Sequence, residues 1–384
     1  MELRILDDLE LRAARVFLRS DLNVPLDSGA IADDFRIRQS LATVREVLDR
    51  GATRVAVCSH LGRPGGKPDP GLSLNPVAAR MSELLAMDVP LCATPSGPIP
   101  AGARVALLEN VRFEARETSN DIGFARELAA LADAYVDDAF GAVHRAHASV
   151  AALATLLPNA AGRLLQREVE VLGRLRDAPE HPYVAVLGGA KVSDKLAVIE
   201  SVLRVADTVV IGGAMCFTFL RAQGLSTGRS LVEEDMIATC SALLDANADR
   251  LVLPVDFVVA PRMGQGAGAR EVPADSIPDD EAGFDIGTLS RRAAVDVIRG
   301  ARTVMWNGPM GVAEIDDFAA GTRAVAAAVA KGSAYSVVGG GDSIAALETF
   351  GYARDVDHAS TGGGAMLEFL EGLDLPGLEP LMMS

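Results

Sequence analysis

The sequence predicts the α/β class: domains in which helices cover both faces of a mostly parallel sheet. Three observations predict it. Short β-branched or apolar runs alternate with helical patterns along nearly the whole chain, which calls for crossover connections and parallel strands. The length of 384 residues exceeds what one ordinary core organises, so two domains are expected. Specialised polar residues also recur in one place, directly after the apolar runs, where open parallel sheets bind their ligands.

The strand candidates, in order, are RVFLRS, RVAVCS, RVALLEN, AYVDDA, YVAVLG, TVVIGG, LVLPVDFVVA, TVMWNG and AYSVVGG. Between them lie segments such as RQSLATVREVLDR and FARELAALADA, whose apolar residues recur at three- and four-residue spacing. NAAGRLLQREVEVLGRLRDAPE reads as one amphipathic helix ending before Pro182, and suits an interdomain connector. The fold expected is two Rossmann-like three-layer α/β/α domains, each with a mostly parallel sheet, joined by a helical hinge.

Composition narrows the function. The net charge of −16 argues against broad binding to nucleic acid or to an anionic membrane. No apolar run approaches the roughly 20 residues of a membrane span. The opening MELRILDDLELRAARV lacks the apolar core and cleavage site of a secretory leader. Cys58, Cys92, Cys216 and Cys240 lie far apart with no C-x-x-C pair, so reduced, buried thiols and a cytoplasmic location are expected.

Chemistry differs between the halves. In the first, Arg36, His60, Arg63, Arg112 and Arg145 come from separate loops, and convergence would give a pocket for a substrate with more than one anionic group. Arginine suits this role because its planar fork donates two parallel hydrogen bonds to a carboxylate or phosphate. Asp21 and Asn23 would accept from a substrate hydroxyl or orient an arginine. Gly62, Gly65 and Gly66 with Pro64 fix a tight loop presenting His60 and Arg63. His144 and His147 share a spacing used by metal sites but lack the Glu of H-E-x-x-H, so no zinc is expected.

In the second half, YVAVLGGAKVSDKL reads as strand, glycine turn and helix start, placing Lys191 and Lys195 on one face of a first helical turn. Cations there oppose the helix dipole, and a bound phosphate would explain them. VVGGGDSIAAL and STGGGAMLEFL each place three glycines before a helix, opening the backbone N–H groups to an anion. Asp342 could cap its helix or meet Mg2+ carried on nucleotide phosphates. There is no G-x-x-x-x-G-K-[ST], no G-x-G-x-x-G at a strand–helix junction, and no H-R-D or D-F-G.

Together these segments resemble the phosphoglycerate kinase family along essentially the whole chain. The resemblance is carried by RSDLNVPL, DDFRIR, SHLGRPGG, LLENVRFE, DDAFGAVHRAHAS, VLGGAKVSDKL, VVIGGAM, LPVDFVVA, TVMWNGPMGVAE, VVGGGDS and HASTGGGA. It implies reversible phosphoryl transfer between ATP and 3-phosphoglycerate, giving ADP and 1,3-bisphosphoglycerate, with Mg2+ and a usually monomeric enzyme. The implied boundaries are 1–158 for a phosphoglycerate-binding domain, 159–178 for the linking helix, 179–362 for a nucleotide-binding domain and 363–384 for a tail returning to the first domain. The implied substrate set is Asp21, Leu22, Asn23, Arg36, His60, Leu61, Gly62, Arg63, Arg112 and Arg145. The implied nucleotide set is Lys191, Lys195, Gly213, Gly287, Asn307, Glu314, Gly340, Gly341, Asp342 and Ser343, with Glu314 on the ribose and Asp342 on the metal. Arg36, Lys191, Gly340 and Gly363 would surround the migrating phosphoryl group. Departures from the family pattern fall on the nucleotide side: Ala214 replaces a usual glycine, IPDDEAGFDIG lacks a common tryptophan, and GTLS replaces a Gly-Pro-x-Ser run.

The absence of an evident catalytic base fits this chemistry. A carboxylate acceptor is already ionised at neutral pH, so the reaction needs charge neutralisation and alignment rather than proton removal. Two other readings stay open: a different acyl-phosphate-forming kinase, which would reshape the arginine set, and an inactive ligand-binding relative, which would lose Arg36, Lys191 or Asp342.

Overall fold

A computed structural model describes residues 2–383. The chain divides into two compact units: unit 1 runs through Val171 and includes the segment from Leu373 onward, and unit 2 is Leu172–Gly372.

Unit 1 is built on five parallel strands, β1 (Arg15–Arg19), β2 (Arg54–Cys58), β3 (Val105–Leu107), β4 (Ala134–Asp137) and β5 (Asn159–Ala161). Their spatial order is β3-β2-β1-β4-β5. Val16, Phe17 and Leu18 are all buried, as expected of a strand covered on both faces. Helix α1 (Phe35–Asp49) buries Ile37, Leu41, Val44, Val47 and Leu48, the three- and four-residue spacing of one helical face. The unit also contains α2 (Asn75–Leu85), a one-turn helix at Ala115–Thr118, α3 (Ile122–Ala129) and the start of α4 (Arg163–Asp177). The C-terminal segment is stitched to this unit by backbone hydrogen bonds from Arg4 to Leu381 (2.8 Å) and from Gly377 to Val143 (2.8 Å).

Unit 2 repeats the scheme with six parallel strands: β6 (Tyr183–Leu187), β7 (Thr208–Ile211), β8 (Leu251–Val252), β12 (Thr303–Asn307), β13 (Tyr335–Gly339) and β14 (His358–Ala359). The order is β8-β7-β6-β12-β13-β14. Strands β9 (Asp256–Ala260), β10 (Arg270–Pro273) and β11 (Ala282–Ile286) form a separate antiparallel sheet, ordered β10-β9-β11. The helices are α5 (Leu196–Val202), α6 (Cys216–Ala222), α7 (Ile237–Ala246), α8 (Thr288–Arg299), α9 (Ala320–Lys331), α10 (Gly341–Thr349) and α11 (Gly364–Glu371). In both units the winding reverses beside the first strand, so each sheet is a Rossmann-like doubly wound sheet.

Several elements differ from the sequence expectation. LVLPVDFVVA is two strands in different sheets, broken at Pro254, which has no N–H for a ladder. The connector opens with strand β5, and its helix starts only after Gly162. Lys191 and Lys195 do not share a helix face: the helix begins at Leu196, and the intervening turn is held by Ser193, whose N–H and hydroxyl both donate to Glu233. The return to unit 1 begins at Leu373 rather than Gly363, because α11 packs Ala365, Met366, Phe369 and Leu370 within unit 2, against α5. The division at Val171 falls inside α4, so one helix belongs to both units. All four cysteines are free and buried. Among the described residues no helix is long and apolar enough to cross a membrane.

Candidate active site

In each sheet the loops leaving the two central strands diverge, opening a crevice at the carboxyl edge. In unit 1 these are the loops after β1 and β4, with the loop after β2 alongside.

Asp21 is buried two residues beyond β1, and its Oδ2 accepts from Arg36 Nη1 at 2.5 Å. Its Oδ1 accepts from the Asn23 N–H at 3.2 Å, and Asn23 Oδ1 accepts from the Gly62 N–H at 2.9 Å. Gly62 has φ +61°, and a Cβ there would lie 2.7 Å from the Leu72 side chain, so this turn requires glycine. Arg112 Nη1 donates to the Gly62 carbonyl at 2.8 Å. Leu22 and Leu61 are buried, and their amides are committed to Ser59 Oγ and Asn110 Oδ1, so they give this edge its shape rather than a free donor.

The electrostatics of this edge are unusual. Burial, then the neighbouring charges of Arg19 and Arg145, push the Arg112 guanidinium down to about 10. Burial and the charges of Arg19, Arg112 and Arg36 hold His60 well below the ordinary imidazole range. Arg36, Arg112 and Arg145 thus stand around a neutral His60, and the concentration of guanidinium charge favours an anion there. Arg145 is exposed, and its one side-chain hydrogen bond among the described residues is from Nε to His144 Nε2 at 2.9 Å. Arg63 is exposed, and no described hydrogen bond or ion pair holds its side chain.

The corresponding edge of unit 2 is made by the loops after β6 and β12. Gly213 has φ +66°, and a Cβ on it would meet the Gly189 backbone at 2.4 Å; one on Gly188 would meet Pro309 O at 2.1 Å. The glycine runs let the loops interlock. Gly287 has a local explanation too: a Cβ there would lie 2.3 Å from the Asp256 carboxylate, which caps α8 by accepting from Leu289 N (2.9 Å) and Ser290 N (2.8 Å).

Lys195 sits at the cap position of α5 with its Nζ on Asn307 Oδ1, at the end of β12. Burial lowers its ammonium to about 8 despite the opposing charges of Asp342 and Asp194. Gly340 (φ +92°) brings its backbone against the Asn307 amide, where a Cβ would lie 3.1 Å from Nδ2. Asp342 is exposed in the first turn of α10, and Ser343 is buried with its hydroxyl accepting from the Gly308 N–H at 2.6 Å. Gly340 and Gly363 (φ +53°) occupy the N-cap positions of α10 and α11 and bring no side chain to cap them; the Ala365 N–H already donates to the Gly362 carbonyl at 3.0 Å, and the first-turn N–H groups of α10 have no described side-chain acceptor. Lys195, Asn307, Gly340 and Asp342 therefore form one cluster. Lys191, Glu314 and Gly341 are exposed beside it in the chain, at the turn before α5, the loop after β12 and the start of α10.

Sequence reasoning missed the residues that hold these loops. Asn110 accepts from the amides of Leu61 and Arg112 and donates to the carbonyls of Leu61 (2.7 Å) and Leu72 (2.9 Å), tying the two loops of unit 1 together. The only linear signal was an asparagine in LLENVRFE, with one residue between it and the end of an apolar run. Among the described residues no group of three or more His, Cys, Asp or Glu could hold a metal ion. A single exposed carboxylate at Asp342 suits a divalent cation that arrives on phosphate oxygens.

Two doubly wound units, one with a crowded cationic edge and one with uncapped helix N-termini beside a lysine, define a phosphotransferase. The comparisons with known proteins fix which kind. The family model described as phosphoglycerate kinase matches residues 6–373. The phosphoglycerate kinase of Rubrobacter xylanophilus is 54% identical over 387 residues, covering 99% of this chain and 98% of the relative; that of Frankia alni is 54% identical over 400 residues, covering 99% and 100%. The solved phosphoglycerate kinase structure from Coxiella burnetii superimposes with a TM-score of 0.89 at 41% identity, covering 99% of this chain and 98% of that one. The one from Pyrococcus horikoshii gives 0.88 at 34%, with the same coverage. The chain belongs to the phosphoglycerate kinase family.

Proposed function

We propose that this enzyme transfers the γ-phosphoryl group of ATP reversibly to the carboxylate of 3-phosphoglycerate, forming ADP and 1,3-bisphosphoglycerate, as a step of glycolysis and gluconeogenesis. The observation that carries the substrate assignment is the crowding of Arg36, His60 and Arg112 at the carboxyl edge of unit 1, where burial and the neighbouring guanidinium charges lower the proton affinity of His60 and Arg112. A substrate with a phosphate at one end and a carboxylate at the other offers two anions to such an edge. Asp21, Asn23, Arg63 and Arg145 complete the set, with Asp21 orienting Arg36 through their 2.5 Å pair.

The nucleotide is assigned to Lys191, Lys195, Gly213, Gly287, Asn307, Glu314 and Gly340–Ser343. Backbone N–H groups at the starts of α10 and α11 would cradle phosphate oxygens, and Lys195 would add a charge. Asp342 would hold Mg2+, which would supply positive charge to offset part of that on the phosphates. No side chain has to remove a proton from the acceptor, since a carboxylate is ionised at neutral pH. The work left to the protein is neutralisation by Arg36 and Lys191, the backbone donors of Gly340 and Gly363, and alignment. We place the enzyme in the cytoplasm as a monomer, a reading supported by its four free thiols and by its family.

A coupled assay with 3-phosphoglycerate, ATP and Mg2+ tests the reading. ADP formation that depends on all three supports it; ADP formation independent of 3-phosphoglycerate overturns the acceptor assignment.

A further inference from the structure

Arg19 is the last residue of β1 and is completely buried, yet no ion pair in unit 1 includes it among the described residues. Burying a guanidinium away from a carboxylate is costly, and a Met or Leu would fill the same space more cheaply. Its hydrogen bonds show what it holds. Nε donates to Ser149 Oγ at 3.0 Å, Nη1 donates to the Ser20 carbonyl at 2.5 Å, and Nη2 lies 3.1 Å from His60 Nδ1.

A guanidinium has five N–H donors and no acceptor, so the contact with His60 has only one polarity. Nδ1 of His60 must accept, and the ring proton must reside on Nε2. Behind Arg19 the polarity is equally fixed. Ser149 Oγ accepts from Arg19 and turns its own proton to Glu117 Oε1 at 2.6 Å, while the Ser149 N–H donates to Glu117 Oε2 at 2.9 Å. Glu117 is fully buried and is linked to Arg19 through that one hydroxyl. No described hydrogen bond uses His60 Nε2, and Arg36, Arg112 and His147 are the charged or titratable neighbours on its other sides.

We propose that Arg19 is a positioning residue: through the chain Glu117–Ser149–Arg19 it locks His60 as a neutral Nε2–H donor toward the anionic substrate. A histidine among arginines could otherwise offer the substrate a lone pair, which would repel a phosphate or carboxylate oxygen. The polarity set by Arg19 removes that tautomer without needing His60 to carry a further charge. The proposal rests on the assignment of 3-phosphoglycerate to this edge.

Nitrogen-15 NMR of histidine-labelled full-length enzyme tests it, combined with kinetics. In the wild type, His60 is expected as a single tautomer with Nδ1 unprotonated and Nε2 protonated at neutral pH. Arg19→Met is expected to give mixed tautomers and to raise KM for 3-phosphoglycerate about 10- to 100-fold, the worth of a hydrogen bond to a charged group, with KM for ATP unchanged. Arg19→Lys, which keeps a donor, should recover the tautomer and part of the affinity. Ser149→Ala, a smaller change, should loosen the tautomer in the same sense and serves if Arg19→Met fails to fold. A wild-type His60 protonated on Nδ1, or variants that keep the single tautomer and the wild-type KM, would overturn the proposal. Wild-type enzyme inactive toward 3-phosphoglycerate would instead overturn the substrate assignment, with the His60 tautomer still readable by NMR.

Discussion

At the scale of the residue, Lys195 carries the sharpest expectation. Burial brings its ammonium down to about 8, and the Asn307 carbonyl is its only described hydrogen-bond partner. Above that pH the free enzyme holds a growing fraction of neutral amine. Nucleotide phosphates favour the ammonium, so binding should draw in a proton, and affinity should fall as pH rises through about 8. Titration calorimetry of ADP near this pH, in buffers of different ionisation enthalpy, should show proton uptake that is lost in Lys195→Gln. Equal apparent enthalpies in all buffers would refute the expectation. The lysine was legible in the sequence because a cation beside a glycine turn and a helix start is poorly explained by helix stability. Arg19 and Glu117 were not legible: each lies in a segment with a complete local explanation, and their pairing with His60 and Ser149 exists only after folding. Gly213 and Gly287 were read as nucleotide contacts, whereas the structure adds a packing reason for each that no linear pattern reveals.

At the scale of the element, helix α4 is anchored by a buried carboxylate. Asp138 Oδ1 accepts from the amides of Leu164 (2.8 Å) and Leu165 (3.3 Å), and Gly162 leaves it room, since a Cβ there would lie 2.2 Å away. Asp138→Ala should cost about 1–2 kcal/mol, the range of a lost N-cap. Burial raises Asp138 to about 6 and its neighbour Asp137 to about 7, against an ordinary 3.8. Unfolded, both carboxyls ionise near that ordinary value, so the folded state binds more protons between it and about 6–7. Their contribution to stability is therefore complete below the ordinary value and declines as pH rises through about 6–7. Urea unfolding followed by circular dichroism should show this decline, flattened in Asp137→Asn; a variant with an unchanged pH slope would count against it. Trp306 is a poor probe here because it is buried in unit 2. Periodicity recovered the alternating strands and helices, which obey local rules. It failed at Pro254 and Gly162, where single residues divide one apolar pattern between two elements, and at Lys191, where a side-chain contact from Glu233 holds the turn open.

At the scale of the whole molecule, the strand order accounts for the division of labour. Both sheets reverse their winding beside the first strand, so each unit presents its own crevice, one cationic and one lined by glycines. The sequence announced this as polar residues following apolar runs, because crossover connections return every parallel strand to the same edge. Arg36→Ala should therefore lower turnover about 100- to 1,000-fold, the worth of a donor to developing charge, while ADP binding to unit 2 is retained. Loss of ADP binding in calorimetry would break the assignment of one ligand to each unit. In-line transfer adds a stricter demand, since acceptor oxygen and phosphorus must approach within roughly 3–3.5 Å. Closure of the units, the expectation attached to the helical hinge, would meet this demand and would expel water that hydrolyses an acyl phosphate. Helix α4, shared by both units, and the chain near Gly372, where it passes back to unit 1, are the places where the chain crosses between units and where such a hinge would act. The radius of gyration from solution scattering should fall when 3-phosphoglycerate and a non-hydrolysable ATP analogue are both bound, and by less with either alone. An unchanged radius with both ligands saturating would rule closure out and require the two crevices to face each other already in the free enzyme.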